Sequence, residues 1–80
     1  MKNILTLIEK NDWELEYVGR SGRSYKAEMS GRSVRPDGSW ELLMGYGSTP
    51  KIALSELDKS AGAFLKKLAA FNKKKTSKTP

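Results

Sequence analysis

The feature that most constrains the fold is the spacing of apolar residues, which changes period twice along the chain. Residues 2–11 carry aliphatic side chains within two turns, the pattern of a short amphipathic helix. Three segments between residues 13 and 46 then alternate apolar and polar residues, which predicts strands buried on one face. From Pro50 the helical period of three and four returns. The predicted order is therefore α-β-β-β-α.

The first two predicted strands form a hairpin. Their inward-facing residues are Trp13, Leu15, Tyr17, Tyr25, Ala27 and Met29. A three-residue loop, with Gly22 in the left-handed conformation, would place Tyr17 opposite Tyr25. Each inward residue of one strand would then face an inward residue of the other.

A third strand follows the turn signal Pro36-Asp37-Gly38. Its predicted inward residues are Trp40, Leu42, Met44 and Tyr46. A three-residue turn would pair Trp40 with Val34, so a bulge near Ser30-Gly31 is needed to keep the inward sets on one face. The segment 32–35 is otherwise an exposed loop.

The second helix begins with Thr49 as the N-cap and Pro50 at the first helical position. Gly62 within it indicates either a close contact or a break into two helices. Residues 73–80 lack apolar side chains and are predicted to be a disordered basic tail. Residues 1–72 then form a single α+β domain of two layers, in which helices cover one face of a three-stranded antiparallel sheet.

Charge and composition limit the possible functions. The net charge of +6 lies entirely in residues 48–80, which hold eight lysines against Glu56 and Asp58. The chain has no cysteine and no histidine, so disulfides, thiolate metal sites and the commonest general base are excluded. We therefore expect a cytoplasmic binding module with no catalytic residues, no metal, no cofactor and no membrane segment.

The junction before the second helix resembles two known families. The run from Gly45 to Leu54, with strands and Tyr25-Lys26-Ala27 before it, is similar to the glycine-rich turn and helix start of double-stranded RNA-binding domains. It also resembles the HicB-like antitoxin fold, a half version of that domain. The resemblance implies a small αβ domain, and Lys51 matches a lysine that the RNA-binding family uses on phosphates.

The leading interpretation is a nucleic-acid-binding module that uses the second helix, the first turn and the basic tail, with double-stranded nucleic acid among its candidate partners. The residues predicted to contact nucleic acid are Arg20, Arg23, Thr49, Lys51, Lys59, Lys66, Lys67, Lys73, Lys74 and Lys75.

The alternative is a small phage-type accessory or inhibitor protein that docks on a host or defence protein complex through its sheet face. An acidic outer sheet face would suit such a partner, with Lys26 and Leu43 on the same face. The residues predicted for this role are Glu14, Glu16, Glu28, Glu41, Arg32 and Arg35. An exposed edge of the first or third strand could also pair with a second copy and form a homodimer.

Overall fold

The computed structural model describes residues 2–33 and 39–77, with side chains as far as Phe71. The helices and strands are α1 Lys2–Asn11, β1 Glu14–Ser21, β2 Ser24–Arg32, β3 Trp40–Gly47 and α2 Pro50–Ser77. The predicted α+β class and element order are thus confirmed. The predicted turn Pro36-Asp37-Gly38, and Arg35 with it, lie outside the described residues.

The strands form one antiparallel sheet in the order β1-β2-β3, and the buried core lies between the sheet and the helices. The buried side chains are Ile4, Leu7, Trp13, Ala27, Met29, Ala53, Leu57, Ala61 and Phe64. Trp13 packs against Phe64 with ring centroids 4.8 Å apart. No helix of the described residues combines the length and apolar character needed to cross a membrane.

The β1–β2 hairpin has a tighter turn than predicted. Ser21 pairs with Ser24, so only Gly22 and Arg23 form the loop. The left-handed conformation predicted for Gly22 is confirmed by its φ of 62°. A glycine with positive φ at the first of two loop residues is typical of a type II′ turn, whose twist matches that of the strands. The predicted pairing of Tyr17 with Tyr25 is therefore wrong, since Arg20 pairs with Tyr25 and a bulge lies between Leu15 and Tyr17.

The predicted orientation of β3 is also wrong. Ala27 pairs with Gly45 and Met29 with Leu43, so the odd-numbered residues of β3 face the helices. Because the register runs without a break to the pair of Arg32 and Trp40, β2 and β3 need no bulge near Ser30-Gly31.

The physical reason for this orientation of β3 is the close approach of α2. A Cβ atom at Gly45 would lie 2.5 Å from the carbonyl oxygen of Ala53, so only glycine fits beneath the helix. Trp40, Leu42, Met44 and Tyr46 are consequently turned to the opposite face, which no described helix covers.

The start of α2 and its path at Gly62 agree with the prediction from sequence. The Ile52 N–H donates to the Thr49 hydroxyl at 3.1 Å, which confirms the predicted N-cap. The helix is continuous through Gly62, where α1 approaches, so this glycine marks a close contact.

The helix α2 also continues five residues into the segment 73–80, for which the sequence predicts a disordered tail. Lysine is a good helix former, and residues 73–77 contain neither glycine nor proline.

Asp58 of α2 holds the N-terminus of α1. Its carboxylate accepts a hydrogen bond from the Ile4 N–H at 2.9 Å and another from the Asn3 amide at 3.2 Å. Free N–H groups at a helix start need an acceptor, and the helix dipole favours a negative charge there. Asp58 therefore acts as an N-terminal cap supplied by a different helix.

We expect Asp58→Ala to lower the free energy of unfolding by about 1–2 kcal/mol, because the N–H groups of α1 lose their acceptor. Asp58→Asn keeps an acceptor oxygen and is the matched control, which we expect to lose less than Asp58→Ala. Urea unfolding followed by circular dichroism measures both. An Asp58→Ala variant as stable as the parent would contradict this assignment.

Candidate binding surfaces

The first candidate surface lies where the β1–β2 turn meets the start of α2. Arg20 pairs with Tyr25, and Tyr25 pairs with Gly47, which is three residues before α2. Two strand spacings separate Arg20 from Gly47, a distance of about 10 Å between backbones. Directly paired residues share a face, so Arg20 projects on the side of the sheet where α2 begins. The strand register thus brings together two segments that are far apart in sequence.

Contacts within the hairpin orient Arg20. Its guanidinium lies 5.7 Å from the centre of the Tyr25 ring, and its Nη2 donates to the Tyr25 hydroxyl at 3.4 Å. The Tyr17 hydroxyl donates to the Arg20 carbonyl oxygen at 2.8 Å. Arg20 remains exposed, and Arg23 is exposed in the turn beside it. Both arginines can therefore reach an anion in solution.

The start of α2 carries positive charge without an acidic counterpart in its own first turn. Lys51 is exposed there, and the first turn of α2 contains no acidic residue. The positive end of the helix dipole adds to the charge of Lys51 instead of offsetting it. An external anion would stabilise this helix end.

Two further lysines line the seam between α1 and α2. Lys59 and Lys66 border a shallow depression with Asn3 and Gly62. They are seven residues apart, about 10 Å along one side of the helix. The Lys59 ammonium also pairs with the Glu56 carboxylate at 3.0 Å, an exposed contact that contributes little to stability.

Lys67 does not lie along the same side of α2 as Lys59 and Lys66. Lys67 lies on the other side of α2, in a depression that it shares with Glu41 and Phe64. Residues 73–75 are helical, and their side chains lie outside the described part of the structure. Thr49 is the N-cap of α2 and its hydroxyl is engaged by the Ile52 N–H.

The second candidate surface is the outer face of the sheet. Trp40 is 73% exposed and Tyr46 is 53% exposed, with Leu42 and Met44 exposed between them. We call these four residues of β3 the outer apolar row. The alternating sequence pattern predicts these four residues in the core, and this prediction is wrong. The glycines at positions 31, 45 and 47 are the signal that indicates the correct orientation of β3. Each lies on the sheet face where Trp13 or α2 packs closely against the backbone.

Charged side chains of β1 and β2 flank the outer apolar row. Lys26 forms an ion pair with Glu28, and this hydrogen bond to Glu28 raises the pKa of Lys26 above its ordinary value. The Ser30 hydroxyl donates to the Glu16 carboxylate at 2.6 Å. Glu14 lies on the same face because it pairs with Ser30. These contacts make the β1–β2 part of the face polar.

The acidic sheet face predicted from sequence is thus only partly correct. Glu14, Glu16 and Glu28 lie on the outer face, and the exposed Arg32 pairs with Trp40 beside them. Glu41 lies on the helix side instead, as does Leu43, because β3 has the opposite orientation.

Within the described residues, no three acidic, histidine or cysteine side chains lie close enough together to hold a metal ion. No protein-family model, curated protein or solved structure matches this chain. The resemblances to double-stranded RNA-binding domains and to the HicB-like fold therefore stay predictions.

Proposed function

We propose that this chain is a non-enzymatic nucleic-acid-binding module. The observation that carries the proposal is the strand register, which brings the Arg20 and Arg23 turn beside the start of α2. Phosphate recognition commonly combines arginine side chains with a helix N-terminus, because both supply N–H donors to the anion. Lys51 adds a flexible cation at the same place.

The positive charge continues along α2, which favours a polymer of phosphates over a single anion. Lys51, Lys59 and Lys66 extend over 16 residues of helix, from 51 to 66, or about 22 Å. A nucleic-acid backbone presents negative charge along a line of similar length, and such contacts release counterions without reading sequence. We therefore expect binding that depends strongly on salt and weakly on sequence.

A fluorescence anisotropy titration tests the proposal. The probes are labelled RNA and DNA duplexes of about 20 base pairs and a single strand of equal length, each at a series of salt concentrations from about 50 to 200 mM. We expect duplex binding whose logarithmic affinity falls linearly with the logarithm of salt. No detectable binding at the lowest salt would overturn the proposal.

A second candidate function is protein docking through the outer sheet face, as in a small phage-type accessory or inhibitor protein. The exposed outer apolar row favours it, since tryptophan, tyrosine and methionine are enriched in protein interfaces. A co-purifying protein that survives nuclease treatment, and is lost with Trp40→Ala, would support this function. A complex retained by Trp40→Ala would contradict docking on this face.

A further inference from the structure

The two edges of the sheet differ in how well they are protected against pairing with another strand. β1 carries a bulge between Leu15 and Tyr17 and the acidic residues Glu14 and Glu16. β3, the other edge, is eight residues long and contains neither lysine nor proline. Bulges, charges and proline are the features that normally block edge pairing. The β3 edge has only one of them, the charge of Glu41.

We propose that two copies of this chain associate through antiparallel pairing of their β3 strands. The two sheets would join into one sheet of six strands, and the outer apolar rows of both copies would become neighbours on its outer face. Strand addition supplies the backbone groups of an edge with hydrogen-bond partners, and side-chain contacts select the partner.

The β3 sequence is complementary to itself on both faces when Leu43 lies opposite Leu43 of the second copy. In this register the numbers of two opposite residues add up to 86. Leu42 therefore faces Met44 of the second copy, and Trp40 faces Tyr46 of the second copy. Cross-strand pairs of apolar and aromatic residues stabilise a sheet by roughly 0.2–1 kcal/mol each. Registers with an odd sum would place outward residues opposite inward ones, which a continuous sheet does not allow.

Charge and packing favour this register over its neighbours. Glu41 would face Gly45 of the second copy. A sum of 84 would instead place each Glu41 opposite the apolar Leu43, and a sum of 82 would place the two Glu41 carboxylates opposite each other, which is destabilising. A sum of 88 would leave Trp40 beyond the end of the opposite strand. Leu43, half-buried beneath α2, would face Leu43 of the second copy.

Two features of the monomer leave this edge able to accept a second copy. The Ser60 hydroxyl approaches the Met44 carbonyl oxygen at 3.5 Å, which is long for an O–H···O hydrogen bond and leaves that carbonyl open to a better donor. On the outer face, β2 places Lys26, Glu28 and the exposed Arg32 one strand from this edge, and Lys26 already pairs with Glu28. In the joined sheet, Arg32 would lie three strand spacings, about 14 Å, from Lys26 of the second copy, a distance at which salt screens the repulsion.

Single-cysteine variants test the register directly, because the chain has no cysteine of its own. Opposite Cβ atoms in an antiparallel pair lie about 4.5–5.5 Å apart, close to disulfide geometry. Under mild oxidation, a mixture of Leu42→Cys and Met44→Cys is expected to form disulfide-linked heterodimers faster than either variant alone. Tyr17 pairs with Glu28 and therefore lies on the outer face, but in the far strand β1, so Tyr17→Cys is the control and should link slowly. Rapid linking of Tyr17→Cys would overturn edge pairing in favour of stacked sheets.

Light scattering after size exclusion measures the association itself. We expect the parent chain to approach twice its 8.9 kDa mass as concentration rises. Leu42→Lys places a charge beside the edge and should remain a monomer, whereas Tyr17→Lys should dimerise like the parent. Circular dichroism confirms that both variants are folded. A single 8.9 kDa species of the parent at every concentration, or a Leu42→Lys dimer, would overturn the proposal.

Discussion

Gly45→Ala is expected to unfold most of the domain. The added Cβ atom would lie 2.5 Å from the Ala53 carbonyl oxygen and 2.8 Å from the Glu56 carbonyl carbon, both backbone atoms of α2. Backbone atoms of a helix cannot turn aside as a side chain can, so β3 and α2 must separate. We expect a loss of about 3 kcal/mol or more, comparable to the whole stability of a domain of this size.

Gly62→Ala is the matched control for Gly45→Ala. Its Cβ atom would lie 2.7 Å from the Asn3 amide nitrogen, the far end of a side chain that can move. Alanine also favours the helix over glycine by about 1 kcal/mol, which offsets the displacement of Asn3. Urea unfolding followed by circular dichroism compares the two. Equal stabilities would show that α2 does not pack closely on β3 at Gly45.

Trp13→Ala has the second large expected effect. Trp13 is 2% exposed, packs against Phe64 and lies against Gly31, where an added Cβ would meet its ring. Removing a buried tryptophan costs the transfer energy of the ring and leaves a cavity, together about 3–5 kcal/mol. We expect urea denaturation of this variant to show little folded protein even without urea.

Trp40→Ala provides the contrast, because the chain has only two tryptophans and Trp40 is 73% exposed. At dilute concentration we expect it to change the free energy of unfolding by less than about 1 kcal/mol, the span of strand propensities. If Trp40→Ala destabilised the monomer as much as Trp13→Ala, the orientation of β3 would be contradicted.

The elements themselves could be predicted because their signals are local. The apolar spacing of residues 2–11, the N-cap at Thr49 and the left-handed Gly22 each depend on a few neighbouring residues. Such signals remain valid in the folded chain because helix capping and turn conformation involve nearby backbone groups.

The orientation of β3 could not be predicted from alternation alone, because its apolar set is the one that faces outward. The deciding contact is between Gly45 and the backbone of α2 at Ala53, Glu56 and Leu57. Packing of elements distant in sequence thus overrides a local pattern. The outer apolar row was missed as a surface for this reason.

The candidate nucleic-acid surface was predicted in part. The position of Arg20 beside the start of α2 agrees with the expectation, since it follows from pairing of consecutive strands. The side of α2 on which each lysine lies depends on how the helix packs. Lys59 and Lys66 therefore border α1, whereas Lys67 borders β3.

The most direct test of the proposed function compares two triple variants that remove the same charge from different places. Arg20→Gln, Arg23→Gln and Lys51→Gln neutralise the turn and the start of α2. Lys10→Gln, Lys26→Gln and Arg32→Gln are the matched control, with two changes on the outer sheet face and one in α1. Both sets lower the net charge equally, so a general charge effect would alter both alike.

The measurement is the slope of logarithmic duplex affinity against logarithmic salt concentration for the parent and the two triple variants. Each phosphate contact contributes about 0.9 to this slope. We predict that the turn and helix-start variant binds more weakly and loses about 2–3 units of slope, while the control keeps a slope close to that of the parent. Equal slopes for the two variants would contradict phosphate binding at the turn and the start of α2.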